Sequence, residues 1–306
     1  MTTIKSKTGI TSRVLSIVLK HISSRPSLES IGVQQYRALL EKSASMFKID
    51  TTVHYEKVNL DSVQAAWVTP PNFTDEKVVL YLHGGGFIAG SINSHRDLVT
   101  RIAKASRAKV LIIDYRLAPE HKFPAGLNDA FNSYKWLLNN KISPENIVVA
   151  GDSAGGGLAL SLLLLIKEKG LAVPGAAVFL SPWVDLECRG KSHLKNKEKD
   201  PMLNHDMLFS TAKFYADNNK LSNPLISPLN GDLSGLCPML IQAGSNEILK
   251  DDAVMLSDKA QQSGVDAKLE IWDGMFHVWH YFAKYLLEGR KAIERIGSFI
   301  TTMKPI

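Results

Sequence analysis

Cysteine is scarce. The 306 residues contain two, Cys188 and Cys237, too few for a disulfide framework and without metal-type spacing. No apolar run approaches the roughly 20 residues of a membrane helix. Val14 to Leu19 is apolar but short, and Lys20 and His21 follow it without a small-residue cleavage site. It does not read as a signal peptide, so a cytoplasmic protein with no integral membrane segment is expected. Zinc-finger patterns, nucleic-acid signatures and the phosphate-cradling G-x-x-x-x-G-K are all missing. The chain is basic, with a net charge of +6. Its densest basic group, Lys191, Lys195, Lys197 and Lys199, is interrupted by Glu198 and Asp200. That group reads as a solvated loop, and no nucleic-acid partner is expected. Internal repeats and low-complexity linkers are absent too, which points to one compact unit.

What remains is ordinary globular composition, 45% hydrophobic and 22% charged, in a chain long enough for one large α/β domain with an elaboration. Residues 1–48 are helical in pattern, with Ile10, Val14, Ile17 and Val18 at helical spacing and a second amphipathic stretch from Val33 to Phe47. Ser24-Arg25-Pro26-Ser27 separates the two. Val53 to Val58 and Val63 to Val68 alternate around Leu60-Asp61-Ser62 as a hairpin would. Further strands are read at Val78 to Leu82, Lys109 to Ile113, Ile147 to Ala150, Ala176 to Leu180, Met239 to Gln242 and Ala267 to Trp272. Helical stretches lie between them, including Leu98 to Ala105 and a helix opened by Pro124. This alternation implies a mainly parallel sheet with right-handed crossovers. Leu186 to Asn223 breaks the rhythm and reads as an insertion that joins the N-terminal helices in a cap. The expected division is 1–48 for the first part of the cap, 49–185 for the first part of the catalytic domain, 186–223 for the cap insertion and 224–306 for the rest of the catalytic domain.

The chemistry centres on Gly151-Asp152-Ser153-Ala154-Gly155, which fits G-x-S-x-G and stands between an apolar strand and a buried helix, Leu158 to Ile166. A serine on such a strained turn needs small neighbours and presents its hydroxyl at the end of the sheet. The Ala154 amide then lies at a helix N-terminus, where unpaired N–H groups face a developing anion. The strand Val78 to Leu82 runs into His83-Gly84-Gly85-Gly86-Phe87. Three glycines let the backbone approach a ligand closely, and their N–H groups join the Ala154 amide as candidate oxyanion donors. His83, inside the glycine turn, suits a structural role.

A nucleophilic serine needs a base and an acid, in the chain order Ser, Asp or Glu, His for this architecture. The loop after Met239 to Ala243 offers Glu247, with Asp251 as the rival; Asp251 and Asp252 fall in the first turn of a helix, where the macrodipole already favours a carboxylate. The loop after Trp272 offers His277. Its rival, His280, lies in the apparent helical run Val278 to Leu287. His54, His95, His121, His193 and His205 carry no sequence argument for a role. Phe87, Trp183, Phe214, Tyr215, Met275 and Phe276 are candidates for lining the pocket, with core packing as the alternative for each.

These segments together resemble the bacterial members of the hormone-sensitive-lipase family of α/β-hydrolase esterases. The matching pieces are His83-Gly84-Gly85-Gly86-Phe87, Asp114 to Glu120 with Phe123-Pro124-Ala125, Gly151 to Gly156, Ser181-Pro182-Trp183, Ser227-Pro228-Leu229 and Gly274-Met275-Phe276-His277. The resemblance implies an α/β-hydrolase fold, a mainly parallel eight-stranded sheet flanked by helices, with a helical cap. It implies hydrolysis of carboxylic esters of short to medium acyl chain, through Ser153 as nucleophile and His277 as base. By position, Gly85, Gly86 and Ala154 would supply oxyanion N–H groups. The acid is usually aspartate in the family; Glu247 occupies the matching position here and is one methylene longer. No metal or cofactor is needed for this chemistry. Two other readings share the fold: a ligand-binding receptor and a serine amidase or peptidase. Ala267 to Trp272, read as the last strand, would be an open edge, and a homodimer through it is expected.

Overall fold

The computed structural model describes residues 2–5, 15–19, 28–44, 50–74 and 77–303. Its centre is one nine-stranded sheet. The strands are β1 (Thr2–Ile4), β2 (His54–Leu60), β3 (Val63–Thr69), β4 (Val78–Leu82), β5 (Lys109–Asp114), β6 (Ile147–Asp152), β7 (Ala176–Leu180), β8 (Met239–Gly244) and β9 (Ala267–Trp272). The helices are α1 (Leu28–Ala44), α2 (Ile92–Ser106), α3 (Ala125–Asn139), α4 (Ala154–Glu168), α5 (Ser192–Lys195), α6 (His205–Ala216), α7 (Lys250–Gln262) and α8 (Leu287–Thr302). The spatial order of strands is β1-β9-β8-β7-β6-β4-β5-β3-β2. Only β2 and β3 run antiparallel to their neighbours.

The central strands are continuous apolar runs because both faces are covered. On β4, Val78, Leu80 and Leu82 enter one core with α3 and α4. Val79 and Tyr81 enter the opposite core with α2 and α8. Helix α4 is buried from Ala154 to Ile166, which explains its uninterrupted leucine run. The expected hairpin forms, with Asp61 in a left-handed turn at φ 59°.

The structure corrects three expectations. The sheet has nine strands, not eight, because Thr2-Thr3-Ile4, three β-branched residues suited to an extended chain, adds a strand. That strand lies parallel to β9, with Thr2 beside Glu270 and Ile4 beside Trp272. The C-terminal half of Ala267–Trp272 is therefore already paired, and the homodimer expected through an open β9 edge loses its premise. Val278 to Leu287 is not a helix but a single 3-10 turn, Trp279–Phe282, ahead of α8. Of the N-terminal helices, residues 15–19 are helical and α1 spans 28–44, interrupted at Gly32 with φ 75°. The Ser24–Ser27 break lies outside the described residues.

Helices α1 and α6 meet over the glycine turn that follows β4. Val33, Tyr36 and Leu40 of α1 and Phe214 of α6 pack against Ile88, Ala89 and Ala118. The Arg37 guanidinium donates to the Glu120 carboxylate at 2.7 Å and to the carbonyls of Ala118 and Ile88 at 2.9 and 2.6 Å. Among the described residues no helix is long and apolar enough to cross a membrane.

Candidate active site

Strand order brings the reactive loops together at one end of the sheet. Leu82 pairs with Gly151, Asp152 with Leu180, and Leu180 with Gln242. The chain segments after β4, β6, β7, β8 and β9 thus leave the sheet side by side, at the C-terminal ends where open α/β sheets hold their ligands.

Ser153 links β6 directly to α4 with φ 53° and ψ −124°. A non-glycine residue there costs on the order of 1–3 kcal/mol and persists only where its surroundings over-determine it. Those surroundings are the Ser153 amide donating to Leu180 O at 2.9 Å and the Ser153 carbonyl accepting from Trp183 N at 2.9 Å. Glycines flank the turn because nothing larger fits. A Cβ on Gly151 would lie 2.4 Å from Gly155 O, and one on Gly155 would lie 2.1 Å from Leu82 O.

The turn after β4 holds Gly85 at φ 119°, Gly86 at 64° and Phe87 at 62°. Its own hydrogen bonds run from the amides of Ile88 and Ala89 to Gly85 O, at 3.2 and 3.0 Å. The N–H groups of Gly85 and Gly86 stand outside that pattern, and the Ala154 amide is the first of α4, with no partner in the helix itself. A Cβ on Gly86 would come 2.9 Å from Thr211 Cγ2, so α6 lies directly against the turn.

The loops that carry the candidate acid Glu247 and the candidate base His277 meet. His277 Nδ1 lies 3.1 Å from Glu247 Oε2, and both side chains are buried. Glu247 Oε1 accepts from Ser181 Oγ at 2.7 Å and from the Gly244 amide. Asn196 Nδ2 holds Glu247 O at 2.8 Å. Asp251, the rival acid, is engaged elsewhere: it accepts from Ser192 N at 2.8 Å and lies 3.2 Å from Lys250 Nζ. Burial disfavours the His277 imidazolium, but the Glu247 hydrogen bond and the charges of Glu247, Asp200 and Asp152 outweigh it. The His277 pKa is raised above the ordinary histidine range. Its rival His280 is buried, with Nε2 bonded to Gln242 Oε1 at 2.8 Å, and burial holds its pKa down to about 3.

The aromatic candidates sit further inside than pocket walls in open contact with solvent. Phe87 stacks on Tyr215 with centroids 3.9 Å apart and approaches Trp183 at 5.7 Å. Met275 and Phe276 pack with Trp272, Trp279 and Leu286. Of the six sequence candidates, Phe87, Trp183, Tyr215, Met275 and Phe276 are buried, and Phe214 is half-buried against Ile88 and Ala89.

Several supporting residues, His83 apart, were given no role of their own by the sequence. Ser181 Oγ also accepts from the Val278 amide at 3.1 Å, so one hydroxyl ties Glu247 to the backbone beside His277. Val278 pays for that link with φ 43°, unusual for a β-branched residue, and this is why a helix cannot begin there. Asp152 accepts from Tyr81 Oη at 2.8 Å and from Gly84 N at 3.1 Å, with His95 Nε2 at 3.4 Å. Burial opposes its charge, but His95, Tyr81 and His83 hold the carboxyl below the usual range. The carboxylate before Ser153 therefore anchors the glycine turn. His83 stacks on Tyr115 at 4.3 Å and bonds Gly84 O at 2.8 Å, the structural role its position suggested. Asp200 Oδ2 accepts from Ile248 N at 2.9 Å, pinning the insertion to the acid loop.

Residues 79–281 match the model of a family described by its alpha/beta hydrolase fold, and the chain belongs to that family. It is 43% identical over 245 residues to an acetyl-hydrolase of Streptomyces hygroscopicus, covering 80% of this chain and 82% of that one. It is 32% identical over 287 residues to an esterase of Acinetobacter venetianus, covering 94% of each. The crystal structure of an esterase from the bacterial hormone-sensitive lipase family superposes with a TM-score of 0.93 at 39% identity, over 96% of this chain and 98% of that chain. Within the α/β hydrolases, then, the chain is one of the bacterial hormone-sensitive-lipase-like esterases.

Proposed function

We propose that the chain hydrolyses carboxylic esters of short to medium acyl chain with Ser153 as nucleophile, His277 as general base and Glu247 as its carboxylate partner. The 3.1 Å approach of Glu247 Oε2 to His277 Nδ1, in loops that converge at the Ser153 end of the sheet, carries this reading. Glu247 fixes the tautomer that leaves Nε2 bare and offsets the positive charge formed when Nε2 takes a proton. Ser153 Oγ attacks the ester carbonyl, and its proton passes to His277. The tetrahedral oxyanion is received by the N–H groups of Gly85, Gly86 and Ala154, each worth about 3 kcal/mol to the transition state. The C–O bond to the alcohol breaks and His277 returns the proton to the leaving oxygen. Water, deprotonated by the same imidazole, then cleaves the acyl-serine and releases the acid.

The short acyl preference is supported by crowding beside the glycine turn, where Thr211 meets Gly86 and Tyr215 stacks on Phe87. Hydrolysis of p-nitrophenyl butyrate by wild type and by Ser153→Ala tests the proposal. Turnover by the wild type and its loss in the variant are expected. An inactive wild type that still binds esters would sink it in favour of a receptor. Faster cleavage of matched amides would favour an amidase.

A further inference from the structure

Three donor groups between β7 and α6 converge without a role in the site above. Cys188 Sγ, one ring nitrogen of His193 and one of His205 all lie within 4.8 Å of one another. They come from separate pieces of backbone. Cys188 is in the loop after β7, His193 is in the short helix α5, and His205 opens α6. The two imidazoles meet edge to face with centroids 5.9 Å apart.

The hydrogen bonding of the cluster is incomplete. His193 is 1% exposed, and its Nε2 lies 3.2 Å from Oδ1 of the buried Asp252. Set against a carboxylate, which accepts, Nε2 is the donor of that bond, and Nδ1 is the nitrogen left for another partner. Among the described residues that Nδ1 is buried without a hydrogen-bond partner, and so is Nδ1 of His205. Cys188 Sγ makes a weak 3.8 Å contact with Leu186 O. Two imidazoles, each with a buried nitrogen that lacks a partner among the described residues, thus stand beside a thiol, whereas buried polar groups are normally hydrogen-bonded.

We infer that Cys188, His193 and His205 bind a divalent transition metal, zinc foremost, with Asp252 orienting His193 from behind. One thiolate and two imidazoles suit zinc or cobalt and not magnesium or calcium. A carboxylate on the far nitrogen of a ligating histidine is the usual support for such a ligand. Tetrahedral zinc, with bonds of about 2.0–2.3 Å, sets its ligands roughly 3.3–3.8 Å apart, so the three side chains close by about an ångström and water takes the fourth position. On binding, the Cys188 S–H bond breaks, Sγ bonds the metal, and the proton leaves to solvent. The buried carboxylates of Asp185 and Asp252 offset the charge brought in.

Occupancy would clip α6 to the loop after β7. Asp252 already holds that loop through the amides of Val184 and Asp185, at 3.1 and 3.0 Å. Helix α6 in turn carries Thr211 and Tyr215, which cover the glycine turn. The site is thus placed to fix the cap.

The test is titration of metal-free full-length protein with zinc against a chromogenic indicator, with cobalt as spectroscopic probe and thermal melting as a second readout. One equivalent per chain, a thiolate-to-cobalt charge-transfer band and a raised melting temperature are expected. Cys188→Ser should abolish the band, and Cys188→Ser and His205→Gln should each weaken zinc binding about tenfold or more, while His277→Gln leaves it intact. Wild-type protein that takes up no zinc at micromolar concentrations overturns the inference. So does zinc binding lost with His277→Gln and kept in Cys188→Ser.

Discussion

Glu247 Oε2 stands 3.1 Å from His277 Nδ1, while the other Glu247 oxygen accepts from Ser181 and the Gly244 amide. Both carboxylate oxygens are thereby engaged, and the longer glutamate side chain is held from two sides. Glu247→Gln keeps the shape but can offer His277 an N–H, favouring the wrong tautomer. We expect a fall in kcat on the order of 10⁴-fold on p-nitrophenyl butyrate. Asp251→Asn, whose carboxylate serves Ser192 and Lys250, should stay within a few fold of wild type. Steady-state kinetics of the two variants side by side decide between the acids.

In the proposed mechanism Ser181 is a positioning residue, since it touches Glu247 and the Val278 amide. A hydrogen bond to a charged group contributes about 1.5–3 kcal/mol. Ser181→Ala is therefore expected to lower kcat roughly 10- to 100-fold with KM nearly unchanged. A change in KM alone would show that the hydroxyl serves the pocket and not the acid.

The strained turn at Ser153 was legible because physics leaves it little choice of residues: a doubly buried strand must be apolar, and the turn must be glycine-flanked. The glycine turn after β4 was legible for the same reason. What could not be read depends on neighbours distant in the chain. Ser181 matters because β7 lies between β6 and β8. Asp152 reaches Tyr81 and Gly84 because β4 is the neighbour of β6. Strand β1 is three residues long, below any useful periodicity. Val278 to Leu287 looked helical from its apolar spacing, but the bond from Val278 N to Ser181 overrides that pattern. The Cys188, His193 and His205 cluster escapes spacing rules because its ligands come from a loop and two helices.

Asp200 is buried beside the acid loop, and its charge is one of those that raise the His277 pKa. In the proposed mechanism His277 acts as base only when neutral, so activity is expected to fall as pH drops through that pKa. Removing the Asp200 charge weakens the imidazolium. Asp200→Asn should move the acid limb of the kcat/KM profile to lower pH, with activity on the alkaline plateau close to wild type. A limb that stays in place would mean that Asp200 serves only to hold Ile248 and the backbone of Met202 and Leu203.

Two buried histidines outside the proposed triad make stability itself pH-dependent. Burial holds His83 and His280 neutral, with pKa values down to about 3 against an ordinary value of 6.5. Between those limits the unfolded chain binds protons that the folded chain refuses, so stability rises with pH and is lost as pH falls below about 6.5. Each histidine adds about 1.4 kcal/mol per pH unit to the slope within that window. His280→Gln removes one titrating group while keeping a polar partner for Gln242, and urea unfolding between pH 7 and 4 should show the slope reduced by that amount. An unchanged slope would mean that His280 takes up its proton within the fold, and that its bond to Gln242 gives way before the chain unfolds.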